Sequence, residues 1–507
     1  MARLRNNILA NFAGQAWTVA VSLVFVPFYI RLLGAESYGL VGFMLSLQAL
    51  SYVLDLGLSA TLNRELARRS LASAGIADAH DLLRTFEWVV LPTCAISALA
   101  IVALSGPIAH GWLQPTSLGA VRTQHAIQLM GVAIALQWPS SFYAGGLNGL
   151  ERQLQLNLLN ALFATLRAGG AVLVLWRVES TIEAYVWWQI AVSIAQSTAS
   201  HVVLWRALPS PARRPVFRPR FLRQSGVFAA GTFAVSALGL LIMQADRIAL
   251  SSQRPLAELG YYTLAVTVAA GLGRLVQPFF TALFPRYSRL VGAGEEAQLR
   301  QLYHESTQYL VVLAGTAAVV MAFFARDLLM LWTQDAHVAA IAATPLSLLV
   351  LGSALNGLLN LPYALQLAFG QTSLSLRLNL VGAAIVVPAS WWAVGKFGMT
   401  GAAGTWFAFN LAYIVIGAPL MHAPLLRGQS VRWFVTDVVP PLVMAMLFAA
   451  ACKLLLPDGN SRWFPLARLI VASGVALLAA AMAASAARAR FMEAARAILL
   501  GTRITRR

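Results

Sequence analysis

The chain has 507 residues, 59% of them hydrophobic and 11% charged, with a formal net charge of +18. That charged fraction is less than half of what soluble domains carry, which excludes an ordinary water-soluble enzyme. The basic excess is almost entirely Arg in short segments beside apolar runs, so it reads as membrane orientation rather than nucleic-acid binding.

Apolar runs of bilayer-spanning length, about 20 residues or more, follow one another along the chain. The first two, near 8–30 and 38–60, are separated by "RLLGAESYG", which holds Arg31 and Glu36. The start is basic, but the first apolar stretch outlasts a signal-peptide core, so it reads as an uncleaved span. Further spans are expected near 85–109, 120–147, 153–176 and 183–205, then a proline-broken basic segment at 206–223. Six more follow near 224–249, 258–284, 305–331, 338–368, 372–395 and 399–425, and two last ones near 434–456 and 464–487. The tail from 488 to 507 is a basic amphipathic stretch suited to an anionic membrane surface. About fourteen spans result, in an all-α polytopic membrane protein. With both termini inside, 25 of the 37 basic residues fall in cytoplasmic segments or the span ends beside them, and nine in the outer ones. No loop has room for a soluble domain, and no phosphate-binding Gly-rich loop marks an ATPase. Both cysteines, Cys94 and Cys452, fall in apolar runs, so no disulfide framework is indicated.

A shift of 222 positions brings Ala35–Glu36 onto Ala257–Glu258, Arg64 onto Arg286 and "NLLNA" at 157–161 onto "NLVGA" at 379–383. This predicts an internal duplication of six spans: bundles at 1–205 and 224–425, a linker at 206–223, two added spans at 434–487 and the tail at 488–507. Because six is even, the copies are parallel repeats with a pseudo-two-fold axis along the membrane normal.

"RLLGAESYG", "DLGL" at 55–58 followed by "NRELAR", "DRIAL" at 246–250, "GYY" at 260–262 and "LFPRYSRL" at 283–290 resemble the signature of the polysaccharide and O-antigen lipid flippases. These are members of the multidrug/oligosaccharidyl-lipid/polysaccharide exporter superfamily. The resemblance implies a multidrug-exporter-like fold with two six-helix bundles around a central cavity. It implies a bacterial inner-membrane location and a substrate carried on undecaprenyl pyrophosphate, flipped to the periplasmic leaflet. It also implies a cationic cavity for the headgroup, and a polysaccharide polymerase and glycosyltransferases as partners.

A charge near the bilayer centre costs ~2.5–3.5 kcal/mol on insertion scales, so each such residue is a candidate for function. Asp55 is placed in the second span, Arg167 in the fifth, Asp246 and Arg247 in the seventh and Arg274 in the eighth. Asp55 and Arg274 are expected to approach one another, either as a gating carboxylate and cavity cation or as a structural ion pair. Arg167 suits phosphate through its planar fork, or else bonds a neighbouring helix. Asp246 and Arg247 point in different directions on a helix and suit either a cavity rim or the outer interface. Arg64 and Arg286 follow equivalent spans and could receive pyrophosphate or simply anchor the inner face; Arg31 stands in the outer loop. Glu87 and Asp437 lie near span ends and are given less weight, since they could reach the interface. The aromatic pairs Trp187–Trp188 and Trp391–Trp392 read as interface belts.

No metal-ligand spacing occurs and no cofactor is expected. A cation-coupled multidrug exporter of the same fold is the first alternative; it would use Asp55 or Asp246 to bind a proton or sodium ion. A membrane glycosyltransferase or polymerase is a poorer one, since no large outer loop or acidic catalytic pair is present.

Overall fold

The computed structural model describes residues 2–51, 55, 57–69, 75–208, 214–371, 373–426, 428–456, 463–489 and 492. The expected basic tail therefore lies almost wholly outside the described residues. By internal contacts the chain divides into two compact units, Met1–Gly260 and Tyr261–Arg507.

Every element among the described residues is helical, because a bilayer offers backbone groups no water and a helix satisfies them within one segment. The first unit contains α1 (Ala2–Ser51), α2 (Leu58–Arg69), α3 (Gly75–Pro107), α4 (Ala120–Gly149), α5 (Gln153–Arg177), α6 (Ile182–Ala207) and α7 (Pro219–Gln253). Helix α8 (Leu256–Ala293) begins in it and continues into the second unit. That unit continues with α9 (Glu296–Leu310), α10 (Thr316–Phe323), α11 (Ala325–Thr333), α12 (Ala336–Ala368), α13 (Ser373–Ala412) and α14 (Ala418–Leu425). Then come α15 (Ser430–Arg432), α16 (Val439–Leu455) and α17 (Phe464–Ala483).

Among the described residues, nine helical stretches are long and apolar enough to cross a membrane. Two of them each hold two of the expected spans. Gly34, at φ 80° and ψ 165°, breaks α1, and Gly398, at φ 57° and ψ −139°, breaks α13. Both are backbone conformations that only glycine adopts cheaply. Gly34 is the glycine of the "RLLGAE" motif, so that motif is the turn between two spans. Helices α4 and α6 are long enough to cross but carry more polar residues, α7 at Pro219–Gln253 is also long enough, and the three complete the expected set.

The second span differs from expectation. It does not run unbroken past Asp55: Gly57 takes φ 73°, and α2 starts afresh at Leu58. Asp55 accepts hydrogen bonds from the Ser59 amide at 3.1 Å and the Ser59 hydroxyl at 2.7 Å. It caps the first turn of α2, the position at which a carboxylate is most stabilising on a helix.

The acid of the same motif has an equally local role. Glu36 accepts from the amides of Thr116 (2.6 Å), Ser117 (2.9 Å) and Leu118 (3.4 Å) and from both hydroxyls of Thr116 and Ser117. It thus ties the turn between the first two spans to the segment before α4. We expect Glu36→Ala to free amides that water must then solvate, at roughly 1–3 kcal/mol. Hydrogen exchange should rise selectively at residues 116–118; unchanged protection there would refute the assignment.

The two related motifs also touch within the first unit. A Cβ on Gly39 would lie 1.9 Å from the Leu256 carbonyl oxygen, and one on Gly260 would lie 2.2 Å from that of Ala35. The exchange is reciprocal, as in an isologous contact, and brings backbone against backbone.

In the second unit, α16 and α17 pack through small residues: Ala445, Ala449, Ala480 and Ala484 surround Val312 and Val319. Small side chains let these helices approach closely where lipid gives no hydrophobic drive.

Candidate functional site

In the first unit α2 lies against α4 with no side chain between them. A Cβ on Gly145 would stand 2.5 Å from the Ser59 carbonyl oxygen, and one on Gly149 would stand 2.4 Å from that of Asn63. This close approach sets polar faces side by side. Ser59 and Asn63 of α2, Gln137, Ser141 and Asn148 of α4, Asn160 of α5 and Gln196 of α6 line a cleft of about 450 Å³. Its walls are hydroxyls and amides, with no charged or aromatic side chain.

Two of the sequence candidates reach this cleft through its walls. Asp55 holds Ser59, as described. Arg167, half-buried on α5, donates to Gln189 at 2.8 Å, Gln196 at 3.0 Å and Ser193 at 3.4 Å, which follow one another along one face of α6. The guanidinium thus bonds a neighbouring helix through side chains of α6. Gln196 thus lines the cleft while its Oε1 is held by Arg167, leaving its NH₂ as the donor for a ligand. Beside it, Gly170 admits Trp188, since a Cβ there would lie 2.2 Å from the indole; Trp188 donates to the Leu166 carbonyl at 2.9 Å. Trp188 is therefore a packing residue of α5 and α6, whereas Trp187 is 57% exposed as a belt residue would be.

The other candidates lie elsewhere. On α7, Asp246 accepts from the Arg247 amide at 2.7 Å, while the Arg247 guanidinium reaches Gln244 at 3.3 Å. Arg64 is exposed and lies 3.6 Å from Glu65. Arg31 is exposed next to the Gly34 turn. In the second unit, Arg274 and Arg286 are exposed on α8, with no partner among the described residues.

Two carboxylates given little weight from sequence turn out to be buried. Glu87 is 2% exposed and accepts from Trp205 at 2.9 Å, Tyr143 at 3.2 Å and Arg84 at 3.3 Å, with His201 at 3.1 Å. Asp437 is 1% exposed and is held by His304 and by Gln308 at 2.7 Å. A buried carboxylate persists only with several partners. Apart from Arg84, these partners lie far away in sequence, so neither network is legible there. The basic linker is also docked: Arg218 meets buried Asp81 at 2.6 Å and Arg220 meets Asp78 at 2.8 Å, both acids on α3.

A many-helix membrane bundle with a polar, uncharged cleft in one unit defines a transporter-type fold. Over residues 4–291 the sequence matches the family model described as "Polysaccharide biosynthesis protein", and over 232–392 that described as "MatE". The chain belongs to the polysaccharide biosynthesis protein family, within the multidrug/oligosaccharidyl-lipid/polysaccharide exporter superfamily. Among solved structures, the fold is similar to the lipid II flippase MurJ in an inward closed conformation. That likeness has a TM-score of 0.71 and 11% identity, and covers 94% of this chain and 98% of that one. It is also similar to an inward-facing multidrug resistance MATE family transporter, at TM-score 0.65 and 14% identity, over 80% of this chain and 94% of that one. The Vibrio cholerae MATE transporter VcmN follows at TM-score 0.56 and 18% identity, over 85% and 98%. Comparison with curated protein sequences gives no match.

Proposed function

We propose that this protein flips undecaprenyl-pyrophosphate-linked oligosaccharide from the cytoplasmic to the periplasmic leaflet of a bacterial inner membrane, by alternating access, for polysaccharide export. The observation that carries this reading is the cleft of amides and hydroxyls beside α2 and α4. Neutral sugars present many hydroxyls and no charge, and such walls offer matching donors and acceptors. Arg167, Arg274 and the mouth residues Arg64 and Arg286 supply candidates for the pyrophosphate, which a guanidinium fork binds in two places at once. In this reading both termini are cytoplasmic, the halves 8–205 and 224–425 are parallel repeats, and the polymerase and glycosyltransferases act on either side of the flipping step.

The alternative, a cation-coupled drug exporter, needs a carboxylate free to take up a proton or sodium ion and a surface for a flat apolar cation. The cleft lining provides neither, and Asp55 is engaged in capping α2. The test is purified protein in proteoliposomes, assayed for movement of undecaprenyl-pyrophosphoryl oligosaccharide and, separately, of a cationic dye. Lipid-linked glycan should move, and Asn148→Leu should slow it roughly tenfold at equal protein abundance, the loss of about one good polar contact. Dye transport without glycan transport would reverse the assignment.

A further inference from the structure

A second polar surface lies wholly within the other unit. Arg274, Gln277 and Thr281 follow at i, i+3 and i+7 along α8, and all three are exposed. Asn356, Asn360 and Tyr363 follow at i, i+4 and i+7 along α12. The two helices pack together at this level: a Cβ on Gly357 would lie 2.8 Å from Val276, and the rings of Phe280 and Tyr363 are 6.2 Å apart at 18°. Phe280 in turn stacks on Phe284, at 6.0 Å and 8°. The result is a row of three nearly parallel rings. Other aromatic pairs in the same unit are tilted or edge to face, as Tyr287–Tyr303 at 52°, Tyr303–His422 at 84° and Phe409–Tyr413 at 71°. Phe280 and Phe284 rest on the hydrophobic core, while Tyr363 at the end of the row is 39% exposed.

The rim of this row is polar in a specific way. Asn356 uses its NH₂ to bond the Asn410 side-chain carbonyl at 2.9 Å. Asn360 uses its NH₂ on the carbonyls of Asn356 (3.1 Å) and Gly357 (3.3 Å). Those bonds fix the amide orientations and leave both side-chain oxygens as acceptors with no donor among the described residues. The Tyr363 hydroxyl likewise has no partner among them. Polar side chains exposed on membrane-spanning helices are costly against lipid, so this face is built for water or a ligand.

We propose that the Tyr363–Phe280–Phe284 row and the amides of Asn356 and Asn360 form a subsite for one pyranose ring of the carried glycan. This rests on the flippase reading given above. A pyranose is an amphipathic disc: its C–H face covers an aromatic ring and its equatorial hydroxyls point outward. The exposed ring of Tyr363 matches the face, and the two asparagine oxygens match the rim as acceptors for hydroxyl donors. Arg274, two turns before Thr281 on α8, places a cation on the same face for the pyrophosphate joined to that sugar.

The test uses purified full-length protein in nanodiscs with two probes: undecaprenyl pyrophosphate alone, and the same lipid bearing a trisaccharide of N-acetylhexosamines. Tyr363→Leu should weaken binding of the glycosylated lipid about tenfold, a loss of the size aromatic contacts show, and leave the bare lipid within about twofold. Tyr363→Trp should retain glycan binding because the flat face remains. Thermal stability of each variant is measured in parallel. Equal loss for both lipids, no loss for either, or a loss in Tyr363→Trp as large as in Tyr363→Leu overturns the subsite while leaving the flippase reading intact. Binding of neither lipid by the unaltered protein overturns the flippase reading and the subsite with it.

Discussion

Gly39→Ala is expected to abolish accumulation of folded protein, while Gly404→Ala leaves it unchanged. The added methyl is the same; the surroundings differ. At Gly39 the new Cβ would sit 1.9 Å from a backbone oxygen of Leu256, and at Gly404 nothing lies within 4 Å. A backbone atom cannot rotate away as a side chain does, so the helices must separate. Overpacking alone costs typically 1–3 kcal/mol, and here the small-residue contact is lost as well, for a total of at least about 3 kcal/mol. Gly260→Ala should behave in the same way, since its Cβ would meet Ala35 across the same contact. The double variant should cost clearly less than the sum, because the first substitution has already parted the helices. Size-exclusion profiles and thermal stability of detergent-solubilised protein measure this. Normal stability of Gly39→Ala would show that the motif contact is not what holds these segments together.

Arg274→Ala is expected to abolish glycan export from an abundant, normally inserted protein. Arg274 is an exposed cation on a membrane-crossing helix with no partner among the described residues. Its removal therefore breaks no hydrogen bond or ion pair with the described residues and should not destabilise the fold; if anything, insertion becomes easier. On the proposed function, what is lost is the guanidinium that meets the pyrophosphate. Arg274→Lys should restore export only in part, because an ammonium is a point charge without the planar fork. Export and membrane abundance are measured together. Full export by an abundant Arg274→Ala protein would remove this residue from the substrate path.

The membrane class, the set of spans and the turn at "RLLGAE" follow from the sequence because each is a property of neighbouring residues. Apolar run length sets a crossing, and a glycine at a positive φ sets a turn. The family signature is legible for the same reason: its residues act locally, Asp55 on the Ser59 turn and Gly34 at the break of α1. The burial of Glu87 and Asp437 is not legible in the sequence, because nearness to a span end says nothing about which distant residues will enclose a carboxylate. Glu87 finds Tyr143 and Trp205, 56 and 118 positions away, and Asp437 finds Gln308, 129 positions away. The cleft and the ring row belong to the same class of facts. Asn63, Asn148, Asn160 and Gln196 are unremarkable residues on four helices until glycines let those helices meet, and Phe280 becomes a platform only when α12 brings Tyr363 beside it. A sequence states the cost of each polar group in a membrane; the partner that meets that cost is chosen by packing between helices remote in the chain, and only the tertiary structure decides it.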